Sequence, residues 1–412
     1  MRRWSGELRG FRWIILAVAL ASSVLKLVIA SQTFGTNDVH YWTEFADGVR
    51  KFGPVGVYGH SFTFEVYNHP PLAGWMLSTI NFLTDRGHDL PFLIRVPASV
   101  ADVGTALLLF EILRRRVAVR EATAASVLFS ISPLLFIVSG FHGNTDAVFV
   151  FASVLTLYLV AVRGQFVRGG IVFGLAVSIK LVPVVLAPLL LVLLVRRGLA
   201  PTVRFAAGGL AVFLVLWVPV LVLRGPEFVD QVLGYSGIGL TEWGVPEFLK
   251  RLGISDAHVG SIRDHSRLPV LLAASLVPAM VVWRRPEAWV MASGLSFCIF
   301  LLLSPAFGMQ YLVWALAPAY LVNWQRATAY NAAASVFAYA VYAHWSGNVW
   351  WHWYEARATP FSRGQLVLMT VTWSSLLLMT VGGLLDTMRR VSPSPGSIPA
   401  SEPQKPQSHH PY

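Results

Sequence analysis

Residues 169–195 read GGIVFGLAVSIKLVPVVLAPLLLVLLV, an apolar run in which Lys180 is the only charged side chain. The run is long enough to cross a bilayer, since a transmembrane helix needs about 20 apolar residues. Basic residues flank it on both sides: Arg163, Arg168, Arg196, Arg197 and Arg204. Because arginine clusters favour the cytoplasmic side, the run is predicted to enter the membrane and return. It would form two short helices, about 169–180 and 183–195, with the break at Pro183.

The composition of the whole chain extends this interpretation. Hydrophobic residues make up 55% of the 412 residues and charged residues 13%, about half the charged share of an ordinary soluble domain. A soluble protein is excluded, and an all-α polytopic membrane protein with about 11–12 transmembrane helices is predicted. The other membrane segments are expected at 13–30, 91–113, 121–139, 144–162, 205–223, 269–283, 288–303, 309–323, 328–345 and 364–385.

The net charge of +11 is explained by the positions of the basic residues. They fall at one end of the predicted spans: Arg2, Arg3, Arg9, Arg12, Arg114, Arg115, Arg116, Arg120, Arg284, Arg285, Arg326, Arg389 and Arg390. This arrangement places both termini in the cytoplasm, and no nucleic-acid partner is expected. The same arrangement keeps residues 70–84 from crossing, so they are predicted to form an amphipathic interfacial helix within a long first extracytoplasmic loop.

The chain divides into two regions of unequal size. Residues 1–390 are expected to form the polytopic membrane domain, with the lipid bilayer as its partner. The tail 391–412 is rich in Ser and Pro, so it cannot bury a core and is predicted to be a disordered cytoplasmic end. The preference for arginine over lysine suggests a bacterial plasma membrane as the location.

With this topology, the charges that are not cytoplasmic gather at the outer face. Lys180 lies at the outer tip of the helical pair, where it either faces a partner in a cavity or snorkels to the interface. Lys26, near the outer end of the first span, is expected to snorkel. Asp38 opens the first outer loop and Asp146 begins the 144–162 segment from outside. Helix capping is the ordinary role of either carboxylate.

Other polar residues at this face have ordinary roles as alternatives. Arg95 and Asp102 lie on the outer half of one helix face, where they could simply pair with each other. His69 precedes the interfacial helix and could be an ordinary interfacial histidine. Gln310 and Tyr311 begin a span from outside, where capping and aromatic-belt residues are common.

The coincidence of these residues on one face indicates more than any of them alone. Carboxylates, a buried cation and a basic loop that contains Arg263 and Arg267 would meet at one outer cavity. Cations would hold a phosphate, and a carboxylate would act as a base. The set therefore favours an anionic, lipid-linked substrate that enters from the bilayer.

Six short stretches resemble the integral-membrane glycosyltransferases of the C-type fold, which use polyprenyl-phosphate sugars. They occur in order over about residues 10–325: Asn37-Asp38, the YNHPPL run from Tyr67, Arg95 through Asp102, the HGNTD run from His142, Gly174 through Pro188, and Ser304 through Trp314. Within this group, the sequence resembles the polyprenyl-phosphate-mannose-dependent mannosyltransferases. The resemblance implies the C-type fold and a polyprenyl-phosphate-linked sugar donor as partner.

The resemblance implies roles at the matching positions. Asp38 matches the catalytic base, Lys180 matches a residue near the donor phosphate, and His69 borders the site. Several relatives carry two adjacent acidic residues where this chain has Asn37-Asp38, which argues against a metal-bridging pair, so no metal and no cofactor are expected. The substrate-binding set is expected to be Asn37, His40, His69, Arg95, Asp102, Asn144, Asp146, Lys180, Arg263, Arg267, Gln310 and Tyr311.

The expected activity is transfer of a sugar on the extracytoplasmic side, inverting and metal-independent, with Asp38 as general base. Mannose is the sugar that the resemblance implies, and the acceptor is an unknown glycan, glycolipid or protein. The alternative is a lipid-linked sugar flippase or another polytopic transporter. Many transporters are built from repeated halves, and no internal repeat is visible in this sequence.

Overall fold

The computed structural model describes residues 2–63, 66–235, 242–347 and 360–389. Within these ranges the chain is helical apart from turns, and its extended pairing is limited to an antiparallel bridge between Ser61 and Val66. The predicted all-α class is confirmed. The tail 391–412 lies outside the described residues.

The helices follow the predicted segments closely. In the first half they are α1 (Arg2–Gln32), α2 (Asn37–Gly56), α3 (Pro71–Thr84), α4 (Leu90–Leu113), α5 (Val119–His142), α6 (Asp146–Val162), α7 (Phe166–Ile179) and α8 (Val182–Val195). In the second half they are α9 (Leu199–Leu233), α10 (Gly244–Arg251), α11 (Asp256–Arg284), α12 (Pro286–Leu303), α13 (Met309–Val322), α14 (Trp324–Trp345) and α15 (Arg363–Met388).

The described helices are those of an integral membrane protein. Seven of them are long and apolar enough to cross a bilayer: α1, α4, α5, α9, α11, α12 and α15. Four shorter apolar helices, α6, α7, α8 and α13, lie among them. Large buried side chains of α4, α5, α6, α8 and α12 to α15 form the main core. The shorter helices α6, α8 and α13 are therefore held in place by packing against the longer ones.

The break inside 169–195 lies at the predicted place. Helix α7 ends at Ile179, and Lys180 has extended backbone angles (φ −154°, ψ 145°). Helix α8 begins at Val182 with Pro183 in its first turn, where the missing N–H of proline costs nothing. The prediction of two short helices is confirmed, and Lys180 stands at their junction.

The basic clusters that were predicted to share one side meet at one end of the bundle. Arg12 and Arg114 both pair with Glu111, at 2.6 and 2.7 Å. Arg326 pairs with Asp386 at 2.7 Å, and Arg285 donates to the carbonyl oxygen of Thr387 at 2.6 Å. Further contacts tie the ends of neighbouring helices together: Arg116 with Glu287, Arg196 with Trp283, and Arg197 with Val160. The residues that were predicted to lie at the outer face lie at the opposite ends of these helices.

Two helices extend further than the sequence indicated. The region 224–268 was expected to be an outer segment between spans. Instead, α9 continues to Leu233 past a kink at Arg224, where the backbone angles are non-helical (φ −142°, ψ 30°). Helix α11 already begins at Asp256.

Helices α2 and α3 pack together at the end of the bundle opposite the arginine clusters. Asn81 of α3 donates to the carbonyl oxygen of Ala46 in α2 at 2.8 Å, and Arg50 of α2 pairs with Asp85 at 2.9 Å. Helix α3 covers the residues that were predicted to form an interfacial helix, and it also contacts α7. The two helices therefore form a cap beside the tip of the α7–α8 pair.

Lys26 does not snorkel, which corrects the expectation for α1. Its ammonium pairs with Asp102 of α4 at 2.6 Å, and the two side chains are only 1% and 4% exposed. Asp102 consequently does not pair with Arg95, and it lies inside the bundle. A buried carboxylate needs a partner, and Lys26 of the neighbouring helix supplies it.

Breaking this buried pair is expected to destabilise the fold. Lys26→Met or Asp102→Leu alone should lower the free energy of unfolding by about 3–5 kcal/mol, because either leaves a buried charge uncompensated. The double variant Lys26→Met/Asp102→Leu should recover most of that loss. Thermal unfolding in detergent measures the three variants. If the double variant is as unstable as the sum of the singles, the two residues do not act as a pair.

Candidate active site

Asp38 lies in the first turn of α2, but its carboxylate does not cap that helix. The side chain of Thr36 takes the capping position and accepts a hydrogen bond from the Asp38 N–H at 3.3 Å. The capping alternative for Asp38 is therefore wrong. Its side chain is free to turn toward the junction of α5 and α6, and it is 21% exposed.

The α5–α6 junction is shaped to receive the start of α2. The last turns of α5, Phe136–His142, are π-helical, and Gly143 follows with a positive φ of 87°. The side chain of Val39 packs so closely on Gly143 that a Cβ there would lie 2.7 Å from it. Both the backbone angle and the contact require glycine at this position.

Two side chains of this junction hold one oxygen of Asp38. His142 Nε2 lies 3.0 Å from Asp38 Oδ2, and Asn144 Nδ2 donates to the same oxygen at 2.9 Å. The amide of Asn144 is fixed in turn, since its Oδ1 accepts from the N–H of Thr145 at 2.6 Å. On the far side of the imidazole, the Tyr342 hydroxyl lies 2.7 Å from His142 Nδ1.

These neighbours set the pKa of Asp38. Burial alone would raise it, but the electrostatic attraction and hydrogen bond of His142, the hydrogen bond of Asn144 and the charge of Lys180 together outweigh burial and lower the pKa. Asp38 is thus ionised at neutral pH. An ionised carboxylate at the surface of a buried polar cluster is able to accept a proton.

Lys180 pairs with Asp146, so the snorkelling alternative is wrong as well. Its ammonium lies 2.5 Å from Asp146 Oδ1, and the two side chains are 19% and 0% exposed. It also lies over the rings of Trp314 and Tyr311, with its nitrogen 5.0 and 5.3 Å from the ring centroids. These rings stack on each other at 3.7 Å. The cation is therefore held by a carboxylate and an aromatic wall.

Two polar atoms beside Lys180 have no hydrogen-bond partner among the described residues. They are Asp146 Oδ2 and Trp314 Nε1. Buried polar atoms are nearly always paired in native proteins. A carboxylate acceptor and an indole donor on two residues that both contact the Lys180 ammonium suit a polar ligand that both donates and accepts hydrogen bonds.

His69 borders the same region. Its ring stacks on Trp42 of α2 at 4.4 Å, and Tyr58 donates to its carbonyl oxygen at 2.9 Å. Burial and the charge of Lys180 lower the pKa of His69 to about 3, although Asp38 acts in the opposite direction. His69 is therefore a neutral side chain near both Lys180 and Asp38.

Arg95 is engaged by the protein's own backbone. It is fully buried and donates to the carbonyl oxygens of Thr33, Phe34 and Phe141, at 2.7, 3.1 and 3.2 Å. It thereby ties the end of α1 and the following linker to the α5–α6 junction. This places Arg95 behind the Asp38 cluster as a support, and its pairing alternative with Asp102 is wrong.

The remaining predicted residues make contacts of their own with other groups. Asn37 donates to the hydroxyl of Tyr41 at 3.2 Å, and His40 packs on Phe34 at 4.5 Å. Arg263 pairs with its neighbour Asp264 at 3.2 Å. Arg267 donates to the carbonyl oxygen of Tyr235 at 2.5 Å. Gln310 precedes Tyr311 in the first turn of α13, beside the aromatic wall.

Comparison with known proteins agrees with this architecture. Residues 68–223 match the family model described as dolichyl-phosphate-mannose-protein mannosyltransferase. The crystal structure of ArnT from Cupriavidus metallidurans bound to undecaprenyl phosphate is similar, with a TM-score of 0.50 and 17% identity over 92% of this chain and 78% of that one. The chain has the C-type glycosyltransferase fold.

A second structure gives the same result. The apo state of ArnT from the same organism aligns with a TM-score of 0.50 and 15% identity, over 92% of this chain and 76% of that one. No curated protein matches the sequence. The family match over residues 68–223 and the C-type fold agree with the fold that the resemblance implied.

The C-type fold also brings in residues that the sequence did not single out. His142 and Trp314 were visible only as parts of the HGNTD run and of the stretch from Ser304 through Trp314, and Tyr342 looked like an ordinary residue of its helix. Tyr342 follows His142 by 200 positions, so only the packing of α14 against α5 brings them together.

Proposed function

We propose that this protein transfers a sugar from a polyprenyl-phosphate donor to an acceptor hydroxyl on the extracytoplasmic face of the membrane. The observation that carries the proposal is the pair of polar clusters at one end of the bundle. One holds the ionised carboxylate of Asp38, and the other holds the cation of Lys180 against aromatic rings. The arginine clusters lie at the opposite end, which supports an outward-facing site by the positive-inside rule.

The two clusters divide the reaction between them. The acceptor hydroxyl gives its proton to Asp38 while its oxygen forms a bond to C1 of the sugar. The bond between C1 and the phosphate oxygen breaks, and its electron pair stays on the polyprenyl phosphate. Lys180 offsets the negative charge that develops there. Asp146 uses one of the three ammonium N–H donors of Lys180, which leaves the others for phosphate oxygens.

A single direct displacement inverts the configuration at C1. One carboxylate is enough, because a phosphate leaves without the protonation that a sugar oxygen requires. Among the described residues, no group of three His, Cys, Asp or Glu side chains is arranged to hold a metal ion. The metal-independent route, without a cofactor, remains part of the proposal.

The donor class is supported by the relatives. The matching family is described by its dolichyl-phosphate-mannose donor, and one similar structure has undecaprenyl phosphate bound. Mannose is the favoured sugar on this basis, and a bacterial cell envelope is the favoured setting. The acceptor would be a glycan, a glycolipid or a protein. Asp146 Oδ2 and Trp314 Nε1 would bind hydroxyl groups of the donor sugar.

A donor screen tests the proposal. Purified protein in nanodiscs is incubated with a membrane extract as acceptor and with polyprenyl-phosphate mannose, glucose or arabinose in turn. Labelled product is expected from one donor, with mannose favoured, and none from Asp38→Asn protein. If no donor gives product while labelled donor crosses the bilayer of proteoliposomes, the flippase alternative is the better description.

A further inference from the structure

We propose that His142 and Tyr342 form a positioning dyad that presents Asp38 for proton transfer, with Asp38 Oδ1 as the oxygen that takes the acceptor's proton. This inference rests on the proposed function, since it concerns how the base of that reaction is held. His142 and Tyr342 need not touch the substrate. They act through Asp38 and are positioning residues.

The hydrogen-bond chain fixes the state of the imidazole. A neutral histidine has one nitrogen that donates and one that accepts, and the bond made by one nitrogen decides the role of the other. A neutral tyrosine donates its hydroxyl proton to His142 Nδ1 across 2.7 Å. The proton of the ring then sits on Nε2, which faces Asp38 Oδ2 at 3.0 Å. The reverse tautomer would aim a lone pair at the carboxylate.

The imidazole is also locked in place. The carbonyl oxygen of His142 accepts from the hydroxyl of Thr36 at 2.8 Å, directly before the turn at Gly143. Its ring packs beside that of Tyr342, with 5.7 Å between centroids. Because both side chains are buried, the ring cannot exchange its partners with water.

The same geometry decides which carboxylate oxygen reacts. Asp38 Oδ2 already accepts from His142 and Asn144, so its lone pairs are committed. Oδ1 carries neither of these bonds. The charge of the carboxylate is stabilised on one oxygen while the other takes the proton.

The other charged groups near this carboxylate must be counted before a pH effect is assigned. Lys180 also lowers the pKa of Asp38. His69 is neutral, as its pKa of about 3 requires, and Asp146 is paired with Lys180. None of these groups changes when the dyad is altered. Loss of the His142 bond therefore raises the pKa of Asp38, and activity on the acidic side is lost at a higher pH.

The test is the pH dependence of kcat/KM in Tyr342→Phe and His142→Leu protein. Tyr342→Phe removes one oxygen and frees the tautomer, and His142→Leu removes the donor. The midpoint of the acidic limb is expected to move up by about one pH unit in His142→Leu, since a hydrogen bond to a charged group has about that effect. Tyr342→Phe should move it in the same direction by less, with KM unchanged. His142→Gln keeps an N–H donor, so its midpoint should lie between those of the wild type and His142→Leu.

Tyr330→Phe is the matched control. Tyr330 lies on the same helix, is buried and donates to the carbonyl oxygen of Leu312 at 2.7 Å, so its variant loses a comparable hydrogen bond away from Asp38. Its pH profile should be that of the wild type. If Tyr342→Phe and His142→Leu also keep the wild-type midpoint while Asp38→Asn is inactive, the positioning role of the dyad is refuted, and Asp38 is still the general base. If Asp38→Asn retains activity, the proposed function fails, and the dyad fails with it.

Discussion

Asp38→Asn is expected to lower turnover by about 10²–10⁴-fold, the usual contribution of a general base. The amide keeps the size of the side chain but cannot accept the proton of the acceptor hydroxyl. His142 and Asn144 both bond to Asp38 Oδ2, and the oxygen of the new amide can take the place of Oδ2 and keep both bonds. The local fold should therefore survive. Initial rates at saturating donor, together with the protein yield, measure the effect.

Asp47→Asn provides the control for this variant. Asp47 lies on the same helix α2, is exposed, and makes a surface pair with Arg50 at 3.4 Å. Surface pairs contribute little to stability, so this variant should transfer sugar at the wild-type rate. An Asp38→Asn enzyme with substantial residual turnover would require another base, and the assignment of Asp38 would be abandoned.

Lys180→Met is expected to lower kcat by about 10²–10³-fold, the loss seen when a group that stabilises developing charge is removed. Donor affinity should fall as well, because the ammonium would bind the phosphate before the reaction. The variant also leaves the buried carboxylate of Asp146 unpaired, which threatens folding. The double variant Lys180→Met/Asp146→Asn also removes the buried charge of Asp146. A loss of kcat in this variant can therefore be assigned to catalysis and not to misfolding.

The Lys26–Asp102 pair supplies a matched control for Lys180. It is a second buried lysine–aspartate pair between helices, and it lies away from the aromatic wall of Tyr311 and Trp314. The double variant Lys26→Met/Asp102→Leu should retain transfer once it is folded. Lys180→Arg, which keeps the charge, should retain more activity than Lys180→Met. Equal kcat and donor KM in wild-type and Lys180→Met/Asp146→Asn protein would contradict a phosphate role.

The fold could be predicted in large part because charge is scarce in this chain. Arginines at both ends of 169–195 require a return within the membrane, and the structure breaks the run at Lys180. The same reasoning kept residues 70–84 out of the set of spans. It was less successful at the ends of α9 and α11, since polar turns beyond an apolar run can stay helical.

The site was only partly predictable, for a physical reason. Thr36, Asn37 and Asp38 are all good capping residues, so the sequence left the role of Asp38 open. The structure gives the cap to Thr36. Likewise, Arg95 binds backbone carbonyls and Asp102 pairs with Lys26. Partners of a buried charge on other helices depend on packing, which residue spacing within one helix does not reveal.

The central claim is tested most directly by following the two halves of the donor. Purified protein in nanodiscs receives polyprenyl-phosphate mannose, glucose or arabinose in turn, each labelled separately in the sugar and in the lipid, together with a membrane extract as acceptor. The account predicts equal amounts of sugar joined to acceptor and of free polyprenyl phosphate, both dependent on Asp38. Intact donor in the wild-type reaction, with every candidate sugar, would contradict it.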